Sequence, residues 1–222
     1  MEGEGKATLN TSRERTQSPG EEIANSVSHG VGLLAAAAAA PVLVLSAVRH
    51  GGMARIAGAS VFAATMVLLY LTSTLYHALP RNRAKRVFQV LDHAAIFLMI
   101  AGTYTPFTLV VLRGTWGWTL FGVVWSLALV GVVLTAAGGV RYPKLTTGLY
   151  LAMGWLILVA AKPLWLRMPS EGLLWLLAGG IAYSAGVVFY AAKRVRYSHF
   201  IWHLFVIAGT ACHFVAVLRF AS

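Results

Sequence analysis

Residues 120–140, LFGVVWSLALVGVVLTAAGGV, contain no charged side chain and almost no polar one. A helix rises 1.5 Å per residue, so a stretch of this length spans about 30 Å, the thickness of the hydrocarbon core of a bilayer. Two similar apolar runs, residues 31–48 and 56–71, precede it. The sequence therefore predicts an integral membrane protein built from spanning helices.

The composition of the whole chain agrees with a membrane protein. Of the 222 residues, 58% are hydrophobic and 11% are charged, and the mean hydropathy is +0.71. An ordinary soluble domain has about 25% charged residues. The net charge of +11 could indicate nucleic-acid binding. However, the basic residues lie mainly in short segments between apolar runs, so no nucleic-acid partner is predicted.

Glycines, prolines and basic clusters divide the apolar sequence into helices. The seven predicted spans are residues 30–49, 54–79, 87–112, 117–138, 145–163, 172–193 and 199–219. Residues 1–23 are polar and lack apolar periodicity, which predicts a disordered cytoplasmic tail before a transmembrane domain over residues 24–222. The predicted fold class is all-α, a polytopic bundle of seven transmembrane helices.

The distribution of lysine and arginine predicts the orientation of this bundle, because cytoplasmic loops carry an excess of both. Twelve of them lie on the side of the N-terminus: Lys6, Arg13, Arg15, Arg81, Arg83, Lys85, Arg86, Arg141, Lys144, Lys193, Arg194 and Arg196. Six lie on the opposite side: Arg49, Arg55, Arg113, Lys162, Arg167 and Arg219. The bias predicts a cytoplasmic N-terminus and an external C-terminus.

One acidic residue, Asp92, falls inside a predicted span. A charged carboxylate in a membrane helix costs at least about 2.5 kcal/mol, so it needs a partner, water or a cation. With the N-terminus inside, Asp92 lies at the same depth as His77, His199 and His203, near the cytoplasmic ends of three different helices. These four residues are the candidate functional site.

The spacing of the histidines is typical of metal ligands. His199 and His203 are four residues apart, so they share one helix face and can converge on one ion. With His77 they give three imidazoles and an open fourth position, as in catalytic zinc sites. Asp92 could then hydrogen-bond the water in that position and take its proton, and Ser73, one turn before His77, could contact the water or a substrate carbonyl.

Simpler interpretations of the same residues stay open. Histidines inside membranes are commonly hydrogen-bonded packing residues, and Ser73 could bond a carbonyl of its own helix. His93 points about 100° away from Asp92 around the helix, so it is interpreted as a packing residue. His29, at the entry of the first helix, is a candidate for supporting the ligands from behind.

Other cofactors find no support in the pattern of residues. His213 lies fourteen residues after His199, a spacing that could hold two haems, but no second span supplies a matching histidine pair, so no haem is predicted. The last span contains no lysine that could form a retinal Schiff base. Cys212 is the single cysteine and predicts no disulfide.

Five short segments resemble the hemolysin III family, within the progestin and adiponectin receptor superfamily. They are SHG at 28–30, STLYH at 73–77, LDH at 91–93, GTYTP at 102–106 and SHFIWH at 198–203. The resemblance extends from about residue 25 over the rest of the chain. It implies a seven-helix fold with a cytoplasmic N-terminus and a zinc ion held by His77, His199 and His203, with Ser73 and Asp92 beside it.

The resemblance also implies functions of two classes. The superfamily includes alkaline ceramidases, which suggests zinc-dependent hydrolysis of a lipid amide or a part in membrane lipid homeostasis, with membrane lipids as partners. The alternative is a non-enzymatic sensor, channel or cytolysin in which zinc is structural. Either function places the chain as a multi-pass protein in a bacterial plasma membrane.

Overall fold

A computed structural model describes residues 17–138 and 141–222 of the chain. Within these residues there are seven helices long and apolar enough to cross a membrane, and no strand. They are α1 Pro19–His50, α2 Met53–Ala78, α3 Arg83–Leu112, α4 Gly114–Gly138, α5 Pro143–Arg167, α6 Ser170–Ala191 and α7 Ser198–Phe220. The predicted fold class and the number and order of the spans are confirmed.

Helix α1 begins eleven residues earlier than predicted, at Pro19 rather than residue 30. Ser18 and Glu21 form a capping box, in which the Ser18 hydroxyl accepts from Glu21 N and the Glu21 carboxylate accepts from Ser18 N, at 3.4 Å and 2.9 Å. Proline at the first helical position also favours this start, since its missing N–H would be unpaired there anyway. Residues 19–23 therefore belong to helix α1, and the prediction that they form part of a disordered tail is wrong. Residues 1–16 lie outside the described part of the chain.

The helices form a bundle that closes on itself, because α7 packs against α1 as well as against α6. Helix α2 packs between α1 and α3, and it approaches α3 so closely that a side chain at Gly58 would lie 2.7 Å from Pro106 Cα. Small residues of this kind allow close helix contacts inside a membrane. Helix α5 is packed more sparsely, against α3, α4 and α6.

Two helices contain irregular turns. The last six residues of α3, Phe107–Leu112, are π-helical and follow Pro106. Helix α5 has a 3-10 segment at Leu156–Ala160. The Tyr104 hydroxyl of α3 holds this segment, because it accepts from Ile157 N at 2.7 Å and donates to the carbonyl of Met153 at 2.8 Å.

We call the end of the bundle where α1, α3 and α7 begin and α2 ends the histidine end, and the opposite end the arginine end. Contacts between Glu22 of α1 and His77 of α2, and between Ser28 of α1 and His203 of α7, define the histidine end. At the arginine end, Arg55 of α2 contacts Ser222, just after α7. The four predicted site residues all lie toward the histidine end.

Candidate metal centre

Three histidines from two helices meet at the histidine end. One ring nitrogen from each of His77, His199 and His203 lies within 4.8 Å of the other two. The ring centroid of His77 lies 5.1 Å from the centroid of His199 and 5.1 Å from that of His203. The centroids of His199 and His203 are 4.7 Å apart. His77 and His203 are buried and His199 is half-buried, so the group is the right size and depth to hold one metal ion.

Hydrogen bonds on the outer side of two rings leave their inner nitrogens available. His77 Nδ1 lies 2.8 Å from a Glu22 carboxylate oxygen, and His203 Nδ1 lies 3.2 Å from the carbonyl oxygen of Asn25. Both oxygens accept only, so each Nδ1 carries the proton and each neutral ring keeps a lone pair on Nε2. The Nε2 atom of His77 is buried and has no hydrogen-bond partner within the described part of the chain. A free, buried imidazole lone pair of this kind fits a metal ligand.

Glu22 is a site residue that the sequence interpretation missed, because it was assigned to the tail. One carboxylate oxygen contacts His77 of α2, and the other lies 3.2 Å from Lys85 Nζ of α3. Glu22 of α1 therefore links three helices beside the group of three histidines. Its side chain is 23% exposed, whereas that of His77 is 1% exposed. The capping pattern Ser18 to Glu21 was the signal that could have placed it on a helix.

His29 lies against the group from α1. Its ring is stacked on that of His203, with centroids 3.5 Å apart and planes at 9°, and it meets the edge of Tyr70 at 5.1 Å. Both ring nitrogens of His29 are buried, and no residue in 17–138 or 141–222 forms a hydrogen bond with them. The structure therefore places His29 behind a member of the group through ring stacking rather than through a hydrogen bond.

Ser73 and Asp92 line the same cavity as His199 and His203. Among the described residues, the buried Ser73 hydroxyl makes no bond to a carbonyl of its own helix, as both neighbouring threonines do, and it lies beside the Asp92 carboxylate instead. The structure does not show the own-helix bond considered for Ser73. Asp92 is buried, and one of its carboxylate oxygens lies 3.8 Å from Nδ1 of His93, which also lies 2.8 Å from the Gln89 carbonyl oxygen.

The cavity extends from this polar end into the apolar middle of the bundle. Six helices contribute to its wall, and beyond the polar end most lining side chains are apolar or aromatic, among them Leu69, Ile96, Met99, Ile100, Tyr150, Trp155, Val187, Trp202 and Val206. His213 also lines it, about 15 Å along α7 from His203. His213 Nε2 lies 3.2 Å from the Leu176 carbonyl of α6. The cavity has a volume of about 120 Å³, and its lining suits a small part of a ligand that has a polar and a hydrocarbon portion.

Comparison with known proteins identifies the family of this chain. The family model described as "Haemolysin-III related" matches residues 18–214. The chain belongs to the haemolysin-III-related family. This membership confirms the resemblance predicted from the five segments. The matched range includes every residue of the candidate metal centre, from Glu22 at one end of the sequence range to His203 at the other.

Two bacterial relatives of this haemolysin-III-related protein match along nearly their whole length. "Hemolysin-3" of Bacillus cereus is 44% identical over 203 residues, 91% of this chain and 93% of the relative. "Hemolysin-3 homolog" of Bacillus subtilis is 44% identical over 198 residues, 89% of this chain and 93% of the relative. Together with the seven apolar helices, these relatives establish a multi-pass integral membrane protein of bacterial type.

More distant relatives connect the family to the progestin and adiponectin receptor superfamily. The human "Monocyte to macrophage differentiation factor" is 25% identical over 158 residues, 68% of this chain and 65% of the relative. The rice "Heptahelical transmembrane protein ADIPOR2" is 31% identical over 157 residues, 61% of this chain and 69% of the relative. The predicted superfamily is thereby confirmed, while the cytoplasmic position of the N-terminus stays a prediction.

Proposed function

We propose that this protein is a zinc-dependent hydrolase that cleaves the amide bond of a membrane lipid. The observation that carries the proposal is the grouping of three imidazoles, two of which line an apolar cavity together with a buried carboxylate and a buried hydroxyl. A structural ion would need the ligands alone. A hydrolase also needs a proton acceptor and an apolar surface for the acyl chain, and Asp92 and the apolar lining of the cavity would serve these two purposes.

The donor set fits zinc. Three neutral imidazoles with an open fourth position are typical of catalytic zinc sites, and imidazole ligands suit zinc better than calcium or magnesium. His77, His199 and His203 would hold the ion. When bound, zinc lowers the pKa of water toward about 7 and polarises a substrate carbonyl.

The residues of the chain would each have one task in the reaction. Asp92 takes a proton from the attacking water as its oxygen bonds to the amide carbon, and returns that proton to the nitrogen as the C–N bond breaks. The Ser73 hydroxyl donates to the carbonyl oxygen of the substrate as negative charge develops there. The products are a fatty acid and an amine, which together contain all the atoms of lipid and water.

A release assay tests the proposed function directly. Protein purified with zinc and placed in lipid nanodiscs is mixed with ceramide and other N-acyl lipids, and mass spectrometry follows the fatty acid. We expect release with turnover, and none after the protein is treated with a zinc chelator. Absence of release from every N-acyl lipid by the zinc-containing protein would contradict the proposal.

Glu22 is predicted to strengthen zinc binding, because a carboxylate that accepts from the outer nitrogen of a ligand histidine orients the ring and raises its basicity. We expect Glu22→Gln to lower the zinc affinity by about tenfold, measured by competition with a coloured chelator. The matched control is Glu171→Gln, which removes the partner of Arg219 at the arginine end. Unchanged affinity in Glu22→Gln would show that this carboxylate does not support the ligand.

A second candidate is a membrane protein in which zinc only joins helices. Two observations favour it: the three histidines link α2 to α7, and the most similar relatives described above are called hemolysins rather than hydrolases. An ion of this kind would stabilise the bundle by connecting segments far apart in sequence. The Asp92 variant described in the Discussion separates the two candidates.

A further inference from the structure

A second cavity lies at the arginine end, on the far side of the bundle from the histidines. We call it the arginine pocket, because Arg55, Arg113 and Arg167 all line it. Arg55 lies in the first turn of α2, Arg113 joins α3 to α4, and Arg167 ends α5. The pocket has a volume of about 750 Å³ and is bordered by Trp116.

Among the described residues, no Asp or Glu side chain lines the pocket or forms an ion pair with its three guanidinium groups. Arg55 donates from Nη1 to the main-chain oxygen of Ser222, the last residue of the sequence, at 3.0 Å, and Arg113 donates from Nε to the neutral Val110 carbonyl at 2.6 Å. Each guanidinium has five N–H donors, so most of the donors in the pocket remain available.

The arginine end also contains a cation that is paired. Arg219, in the last turn of α7, forms an ion pair with Glu171 at the start of α6. Among the described residues, the lack of an acidic side chain in the arginine pocket is therefore a local property of the pocket and not of the whole end. Three like charges that share one pocket repel one another, and an anion placed among them would offset that repulsion.

The backbone at Arg113 provides a second, independent observation. Arg113 has φ of 49° and ψ of 173°, a conformation that is costly for any residue with a Cβ and that glycine adopts freely. Residues held in such conformations cluster at binding sites, where the position of the side chain outweighs the backbone cost. Here the strained residue is one of the three arginines, and its Nε bond to Val110 fixes the direction of the side chain.

We propose that the arginine pocket binds a phosphate group. Arginine forms paired, charge-assisted hydrogen bonds with phosphate oxygens, and three arginines can serve all the free oxygens of one phosphate. The pocket lies at the ends of spanning helices beside an exposed tryptophan, the depth at which lipid headgroups meet aromatic side chains. An anionic phospholipid and free inorganic phosphate share this chemistry. The proposal is independent of the hydrolase at the other end.

The lipid arm of the test is native mass spectrometry of the intact protein with phosphatidylglycerol and phosphatidylcholine. We expect the wild type to retain phosphatidylglycerol, and an Arg113→Gln/Arg167→Gln variant to retain it about tenfold less, since one charge-assisted contact is worth at least that factor. The control is Arg49→Gln/Lys162→Gln, which removes two exposed charges from the same end outside the pocket. The control should bind as the wild type does.

The free-phosphate arm uses calorimetry of the protein in neutral detergent with inorganic phosphate. Binding of phosphate that the pocket variant loses, without selective retention of phosphatidylglycerol, supports a site for a soluble anion. Arg113→Gly provides a second variant, because glycine accepts the backbone conformation and should keep the fold while weakening binding. The proposal is overturned if neither probe binds the wild type, or if the pocket variants and the control lose binding equally.

Discussion

Asp92→Asn is expected to lower the rate of lipid amide hydrolysis by at least about 100-fold, because an amide cannot take the proton of the attacking water. The substitution changes one buried atom and keeps the size of the side chain. Asp92 is not one of the three residues that would hold the zinc ion, so the zinc content and the unfolding temperature should stay close to those of the wild type. Fatty-acid release, elemental analysis and thermal unfolding of the same sample measure the three quantities.

The same chemical change at the other end of the bundle controls for loss of negative charge. Glu171 forms an exposed ion pair with Arg219 and does not line the cavity that contains Asp92. The Glu171→Gln protein should therefore hydrolyse lipid as the wild type does. If Asp92→Asn turned over lipid at the wild-type rate, the carboxylate would have no part in the reaction and the proposed mechanism would fail. If the wild type bound zinc and released no fatty acid, the structural role of zinc would be the better account.

Replacing two histidines of α7 is expected to have the second large effect. His199→Ala/His203→Ala leaves His77 as the one remaining imidazole of the group, and a single neutral imidazole in a membrane does not hold zinc against a chelator. We expect the zinc content, measured by elemental analysis, to fall from about one ion per chain to near zero. Hydrolysis should disappear with the metal.

A double variant with two other histidines provides the matched comparison. His50 is exposed at the end of α1, and His93 bonds to a carbonyl of its own helix, so neither belongs to the group. His50→Ala/His93→Ala should keep its zinc. Equal zinc content in the wild type and the His199→Ala/His203→Ala variant would refute the assignment of the ligands.

Much of the fold could be predicted because the bilayer imposes a simple rule on sequence. A spanning helix must be long and apolar, so hydropathy found all seven helices and their order. The ends were less accurate where polar contacts decide them. Helix α3 begins at Arg83 because the Asn82 side chain accepts from Lys85 N at 2.9 Å, and α5 continues past Pro163 because that proline lies in the first turn of a new helical segment.

The candidate site could be predicted in part for a similar reason. Asp92 was conspicuous because acids are rare inside membranes, and its depth pointed to the histidines that lie nearby. Glu22 could not be found in this way, since its position before the apolar run resembled a tail and its contact with His77 depends on how α1 packs against α2. The arginine pocket was missed because a count of positive charges does not show which of them share one cavity.

The packing of the first helix against the last also sets the order in which the centre can be built during synthesis. His77 leaves the ribosome more than a hundred residues before His199, so most of the chain enters the membrane while the group has a single imidazole. The metal can be captured by the full set only after α7 has inserted and reached the Ser28 and Asn25 contacts of α1. A bound ion would thus mark a completed chain, and a nascent or truncated one could not retain it.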